Sequence, residues 1–381
     1  VNNGNTITRV RTVPVRWRLV RPFVTALGQK SYSDNVLARV RLASGVEGWG
    51  EASSSLANPG QTGPKMAAAL RRLGRRFLGR DARDLQKIVA EVWKIESETP
   101  AAVGAFECAV TDALCRQEGI PFFKFFGGAR REIKTLMSVS AVSPDRVDER
   151  VRDGRRRGFD GFKLKLNGRE PLDLNLARVL AARRAAPKAR LLLDPNQSYR
   201  PETLSELLFS LGRDGLRVDS VEEPFPKGDW KTLARYRECM GAGPRLKSYR
   251  GDGRRPGSGK GSLPPLILDE SIQNPADARL VARRGLADGV NVKLAKSGLA
   301  RSREIVGAFK PSALFMIGCM AESKIGLAAA AQFAMGLGCF DYADLDSDLL
   351  LKPLNIPGGY IRRGPWLTLP KKPVPGLGVS L

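Results

Sequence analysis

The second two thirds of the chain carry a repeat that leaves little freedom in the fold. From about Ile133, short apolar runs recur at 135–141, 159–166, 190–194, 217–221, 266–268, 289–293, 314–317 and 340–343, with amphipathic, charged stretches between most of them. Eight strand-like runs alternating with helical patterns predict a parallel β/α barrel. The polar residues keep phase with the runs. Lys165, Asp194, Glu222, Asp269, Lys293 and Asp344 each stand at or just past the C-terminal end of a run, the face at which barrels of this type build their sites. Scattered surface charges would not hold that phase through six of the last seven strands.

Upstream the texture differs. Runs at 7–19, 35–42 and 47–52, the last two joined by a Ser44-Gly45 turn, predict antiparallel strands, and the irregular stretch 20–33 predicts a mobile loop between the first two. Residues 63–119 are Ala- and Leu-rich with helical spacing, broken near Gly79 and Pro100. The organisation expected is a small α+β domain over residues 1–130 and a parallel, TIM-type β/α barrel over 131–351. The tail 352–381 is expected to pack back on the small domain. The interval from Glu222 to Asp269 is about twenty residues longer than its neighbours; the excess, 244–264, is rich in Gly, Ser, Lys and Arg and reads as a basic flexible insertion. Its Gly257-Ser258-Gly259-Lys260 tract lacks the glycine spacing of a phosphate loop, and Gly261 stands where a Ser or Thr is required.

Composition narrows the chemistry. The chain has no histidine, which excludes it as base, metal ligand or triad member and leaves lysine, carboxylates, tyrosine, arginine or a hard metal. Five scattered cysteines form no C-x-x-C pair and read as free thiols; with no apolar run of membrane-spanning length and no apolar leader, a cytoplasmic protein is expected. The net charge of +24 suggests an anionic partner, but the basic residues are dispersed and lack interleaved aromatics. A basic proteome or salt adaptation accounts for them better than nucleic-acid binding.

Three carboxylates at neighbouring strand ends, Asp194, Glu222 and Asp269, suit a hard divalent cation such as Mg²⁺ that keeps positions open for water and substrate. Lys163 and Lys165 alternate along one strand and so share a face. Proximity to one another and to a metal is expected to depress their pKa. Lys293 lies at a strand end across the barrel, so that one lysine removes a proton and the opposite one returns it. Lys296 reads as a solvated strand-end charge. A carbon acid beside a carboxylate is weaker than lysine by roughly 20 pKa units at about 1.36 kcal/mol each, so the base needs a cation where enediolate charge develops.

The elements Lys163-Leu164-Lys165, Asp194-Pro195-Asn196, Glu222-Glu223-Pro224, Asp269-Glu270-Ser271 and Asn291-Val292-Lys293 resemble, in order, the muconate-lactonizing subgroup of the enolase superfamily, as do Arg21-Pro22-Phe23 and Gly48-Trp49-Gly50-Glu51-Ala52. Only 244–264 departs from that pattern. The resemblance implies a capped (β/α)7β barrel, one Mg²⁺ per subunit and Lys165 with Lys293 as the acid/base pair, assisted by Lys163. Asp344-Leu345-Asp346 resembles the D-x-D element of dipeptide epimerases, whose carboxylates receive the substrate's α-ammonium group. Cys319, Met320 and Ser323 then line the same pocket, and Thr25 and Lys30 belong to the capping segment over it. Epimerases acting on Ala-Glu carry an arginine in that segment; here Gly28, Gln29 and Lys30 follow Thr25-Ala26-Leu27, so either Lys30 takes the place of that arginine or the substrate is not acidic.

The expectation is therefore a homo-oligomeric dipeptide epimerase inverting the C-terminal α-carbon by two-lysine 1,1-proton transfer. N-acylamino acid racemase, o-succinylbenzoate synthase and muconate cycloisomerase remain open on the same fold, though their substrates leave Asp344 and Asp346 without a cation. A basic binding protein on an inactive barrel is the alternative of another class.

Overall fold

The computed structural model describes residues 4–239 and 263–381, so the insertion at 244–264 lies, but for its last two residues, outside the described residues. The chain opens with a three-stranded antiparallel sheet of β1 (Ile7–Thr25), β2 (Gly28–Leu42) and β3 (Glu47–Ala52). Helices α1 (Gly63–Phe77), α2 (Leu85–Ile95) and α3 (Pro100–Gln117) follow, with a short α4 (Phe122–Phe125). Residues 20–33, expected as a loop, are instead the far end of a long hairpin: β1 pairs with β2 as far as Thr25 opposite Gly28, across a register shift between Arg18 and Phe23. The shift breaks the period-two pattern, which hides the strand from sequence.

The barrel begins after the edge strand β4 (Glu132–Lys134). Its parallel strands are β5 (Met137–Val139), β6 (Gly161–Lys165), β7 (Arg190–Asp194), β8 (Ser220–Glu222), β9 (Leu266–Leu268), β10 (Gly289–Lys293), β11 (Leu314–Gly318) and β12 (Tyr342–Asp344), paired in sequence order. A bridge between Thr135 and Ala343 closes the ring. The helices between them are α5 (Pro144–Arg156), α6 (Leu172–Ala185), α7 (Pro201–Arg213), α8 (Trp230–Cys239), α9 (Pro275–Arg284), α10 (Leu294–Ala308) and α11 (Lys324–Leu337). A one-turn α12 (Ser347–Leu350) and the hairpin β13 (Ile361–Arg363) and β14 (Trp366–Thr368), which pairs with β4, complete the chain.

Strand periodicity separates the barrel into layers. Phe162, Leu164, Leu191, Leu193, Val221, Val290, Val292, Phe315 and Ile317 belong to the core between strands and helices. Their alternates Leu192, Ile267, Leu314 and Met316 meet inside the ring, with Leu136, as a second apolar cluster that plugs its floor. One repeat further along the strands, the inward positions become Lys165, Asp194, Glu222, Asp269, Lys293 and Asp344.

The capping domain is locked to this face through α3. Helix α3 is buried on nearly every side, as its Ala-rich composition allows, and it lies between β3 and the start of α10. Gly48 and Gly50 permit this: a methyl at Gly50 would overlap the Ala105 carbonyl oxygen, and one at Gly48 the Ala109 carbonyl oxygen and Ala113 nitrogen. Buried carboxylates then cross the junction. Glu51 accepts from the N–H groups of Ser323 (2.9 Å) and Gly326 (3.2 Å) at the start of α11, and Glu107 from those of Leu299 (3.0 Å) and Ala300 (2.7 Å) in α10. Asp112 accepts from Trp49 N (2.9 Å) and from Leu377 N (2.6 Å) in the tail. The tail also reaches the barrel, where Gln332 of α11 donates to Gly359 O and Leu377 O. All five cysteines are free, and among the described residues no helix is long and apolar enough to cross a membrane.

The Gly50→Ala substitution must force α3 off β3. We expect it to cost about 1–3 kcal/mol or more, read as a lower denaturant midpoint; an unchanged midpoint would mean that the two elements separate freely.

Candidate active site

The C-terminal face of the barrel holds a ring of buried charge. Lys165, Asp194, Glu222, Lys293 and Asp344 are the last residues of β6, β7, β8, β10 and β12, and Asp269 directly follows β9. Strands β6 and β10 lie four steps apart in a ring of eight, so Lys165 and Lys293 enter from opposite sides. The arc between them through β7–β9 carries Asp194, Glu222 and Asp269; the other arc, through β11, β12 and β5, carries Asp344, Asp346 and Ser138. All of these side chains are less than a tenth exposed.

Each carboxylate of the first arc is paired with an ammonium group. Lys165 binds Asp194, and Lys293 lies 2.6 Å from Asp269. Lys163 sits at the centre, on Asp344, 3.1 Å from Glu222 and 3.5 Å from Asp194. Asn291 donates to Glu222 Oε1 at 2.9 Å. On the second arc Ser138 donates from its hydroxyl to Asp344 (2.8 Å) and from its backbone to Asp346 (2.6 Å), and Cys319 Sγ reaches Asp344 O at 3.2 Å.

Titration behaviour follows from this pairing. Burial alone would lower Lys163 and Lys293, but Asp344 and Glu222 around the first, and Asp269 beside the second, outweigh it and raise both. In this arrangement the lysines contact carboxylates directly, and anions favour the ammonium form; the depression expected for Lys163 applies beside a metal. Asp269 is held below the ordinary carboxylate range, burial being overcome by Lys293, Lys296 and Lys163. Glu222 is pushed up to about 7 by burial, offset in part by Lys163, with Asp194 and Asp269 adding to the rise. Asp346 rises to about 7 through burial and the Asp344 charge.

Lys296, expected as a solvated charge, is buried and donates to Asp269 Oδ1 (2.7 Å) and Asn291 O (3.0 Å). It was missed because it follows the strand by three residues, and only the turn after β10 swings it back inward. Glu223 was also missed: with φ of 36° it points away from its neighbour Glu222 and accepts from Asp269 N (2.7 Å) and Ser271 N (3.1 Å), which anchors the Asp269 loop. Asn196 and Gln197 likewise have positive φ, and three such non-glycine residues at adjacent strand ends mark a site held in strain.

The capping domain covers the mouth. The hairpin tip places Leu19, Phe23, Thr25, Leu27 and Lys30 over it, the loop after β3 adds Ser54 and Leu56, and Cys319, Met320 and Leu350 come from the barrel. Thr25 Oγ1 accepts from Leu27 N (3.1 Å) within the hairpin turn. Lys30 donates to Ser33 Oγ (3.0 Å) and Ser54 O (3.1 Å), and burial pulls it down to about 8.

The oxygen-only donor set fits a hard divalent cation. Among the described residues the carboxylates do not converge into a ready-made cluster, because a lysine stands on each. Beside them, however, Asn196 Oδ1, Glu270 Oε2 and Asn291 Oδ1 are buried acceptors without a hydrogen-bond partner among the described residues, a combination that calls for a cation and its water.

Comparison with known proteins agrees with this geometry. Residues 7–127 match the family described as "Mandelate racemase / muconate lactonizing enzyme, N-terminal domain", and 146–381 match "Enolase C-terminal domain-like". The chain is 30% identical to an aromatic dipeptide epimerase of Herpetosiphon aurantiacus, over 99% of each chain, and 31% identical to a hydrophobic dipeptide epimerase of Citrifermentans bemidjiense, over 89% of this chain and 88% of that one. A crystal structure of the Methylococcus capsulatus dipeptide epimerase, complexed with Mg and the dipeptide L-Arg-D-Lys, superposes with a TM-score of 0.85 at 28% identity, covering 99% of this chain and 100% of the other.

Glu222, Glu223, Asp346 and Glu107 all stand at about 7, raised first by burial. A carboxylate whose folded pKa lies above its unfolded one stabilises the fold at low pH and loses that contribution as pH rises through the folded value. In EDTA the melting temperature should therefore fall between about pH 5 and about pH 8, and Mg²⁺ should restore more of it at the higher pH. A flat or rising profile in EDTA contradicts this electrostatic account.

Proposed function

Since the chain belongs to the mandelate racemase/muconate lactonizing family of the enolase superfamily, and within it to the dipeptide epimerases, we propose that it inverts the C-terminal α-carbon of a dipeptide by two-lysine proton transfer. The observation that carries this reading is the placement of Lys165 and Lys293 four strands apart around an eight-stranded ring. Mg²⁺ is the cofactor, and Asp194, Glu222 and Asp269 would hold it. When bound, it supplies positive charge beside the substrate carboxylate, where negative charge develops as the α-proton leaves.

The protein's own groups do the rest. A dipeptide carboxylate directed at the β7–β9 arc and an α-ammonium group directed at Asp344 and Asp346 leave the C-terminal α-carbon between the two lysines. One lysine, in its neutral form, takes the proton from its side; the other, as ammonium, delivers one to the opposite side, and the two exchange roles for the reverse reaction. Withdrawal of the carboxylates that now raise Lys293, once they engage the cation, favours the neutral base. Lys163, central and buried, adds charge against the developing anion. The capping hairpin excludes water, and Leu19, Phe23, Leu27, Leu56, Met320 and Leu350 offer apolar walls to the two side chains. With Lys30 engaged by Ser33 and Ser54, apolar dipeptides fit better than acidic ones. Free cysteines suit action in a reducing cytoplasm.

A dipeptide library incubated in D₂O with Mg²⁺ should gain one deuterium at the C-terminal α-position, fastest for apolar side chains. Exchange of N-acylamino acids but not of free dipeptides would overturn the role of Asp344 and Asp346. Lys165→Ala and Lys293→Ala should each slow epimerisation in both directions by about 10³-fold or more, while each retains α-proton exchange from a single epimer. Normal turnover in either variant rules out the two-base mechanism.

A further inference from the structure

Helix α10 is two pieces. Gly298, with φ 59° and ψ −167°, interrupts it, so that the short segment Leu294–Ser297 precedes a second helical start at Leu299. That segment links Lys293 to the helix and carries Lys296, and both lysines grip Asp269 from the two sides. Its anchor comes from the other domain. Each oxygen of the Glu107 carboxylate accepts one of the two N–H groups that open the second piece, and Glu107 is only 4% exposed. Backbone contact reinforces the hold: a methyl on Gly104 of α3 would come within 2.5 Å of Leu294 O. Any side chain at Gly298 would strike Glu107 itself. Among the described residues no hydrogen bond or ion pair runs from α3 to β6, which carries Lys165.

We infer that Glu107 is a positioning residue for one half of the reaction: by pinning the start of the second piece of α10 it sets where Lys293 presents its amine, and it leaves Lys165 alone. The carboxylate lies in the capping domain and touches no substrate atom. Its effect passes through five residues of backbone, Leu294 to Gly298, whose geometry is fixed at one end by β10 and at the other by the Glu107 hydrogen bonds. Replacing one carboxylate oxygen by an amide NH₂ sets a donor against a backbone N–H, and the segment must move to separate them.

The inference rests on the two-lysine reading, and the half reactions separate the two claims. Lys165→Ala isolates proton exchange by Lys293, and Lys293→Ala isolates exchange by Lys165; if neither single variant exchanges one epimer selectively, the two-lysine reading fails before Glu107 is tested. In the Lys165→Ala background, Glu107→Gln should slow exchange by about tenfold or more, since a displacement of about 1 Å can cost up to about 10²-fold. In the Lys293→Ala background it should change the rate by less than about twofold. Asp112→Asn is the control for plain structural damage. Asp112 is an equally buried carboxylate on the same helix that binds β3 and the tail, not α10, so it should weaken both half reactions alike. Should Glu107→Gln not fold, Glu107→Asp keeps the charge while drawing the carboxylate back, and the same ratio is read. Equal slowing of both half reactions, no slowing of either, or the same asymmetry from Asp112→Asn overturns the assignment.

Discussion

Burying charge is the condition on which this molecule turns. Four ammonium groups, from Lys163, Lys165, Lys293 and Lys296, share the barrel mouth with the carboxylates of Asp194, Glu222, Asp269, Glu270, Asp344 and Asp346, all nearly inaccessible to solvent. An unpaired ion in such a place costs several kcal/mol even after relaxation, so each must find a partner or give up its charge. The pairing divides accordingly. Asp269, between two lysines, stays ionised, whereas Asp346, next to another carboxylate, shifts towards the neutral acid.

The same constraint explains why the barrel is plugged below and capped above. Leu136, Leu192, Ile267, Leu314 and Met316 close the floor, so the charges face one exit. The capping hairpin covers that exit and lowers the effective dielectric around the buried charges. An excess of carboxylate over lysine at that mouth also suits a divalent cation, which Asp194, Glu222 and Asp269 would hold.

The two domains act as one body because polar groups, not only apolar surface, cross between them. Glu51 and Glu107 each satisfy helix-start N–H groups on a barrel helix, α11 and α10 respectively, and Asp112 fastens the tail to the capping sheet. These contacts need close backbone approach, which the glycines of β3 and the Gly104 position on α3 provide.

The sequence by itself determined the barrel, its strand order and the facing of its polar residues, because a period of two along each strand and the end-of-strand phase are local properties. The same periodicity placed Lys163 beside Lys165, and the absence of histidine is plain in composition. Tertiary structure alone decided the rest. The β1–β2 hairpin was hidden by a register shift, which erases periodicity where pairing persists. Lys296 and Glu223 owe their positions to a turn and to a positive φ, neither of which a residue type announces. Glu107 looks, in sequence, like one more polar position in an apolar helix; its partners stand nearly two hundred residues away, and only the packing of α3 on α10 brings them within a hydrogen bond.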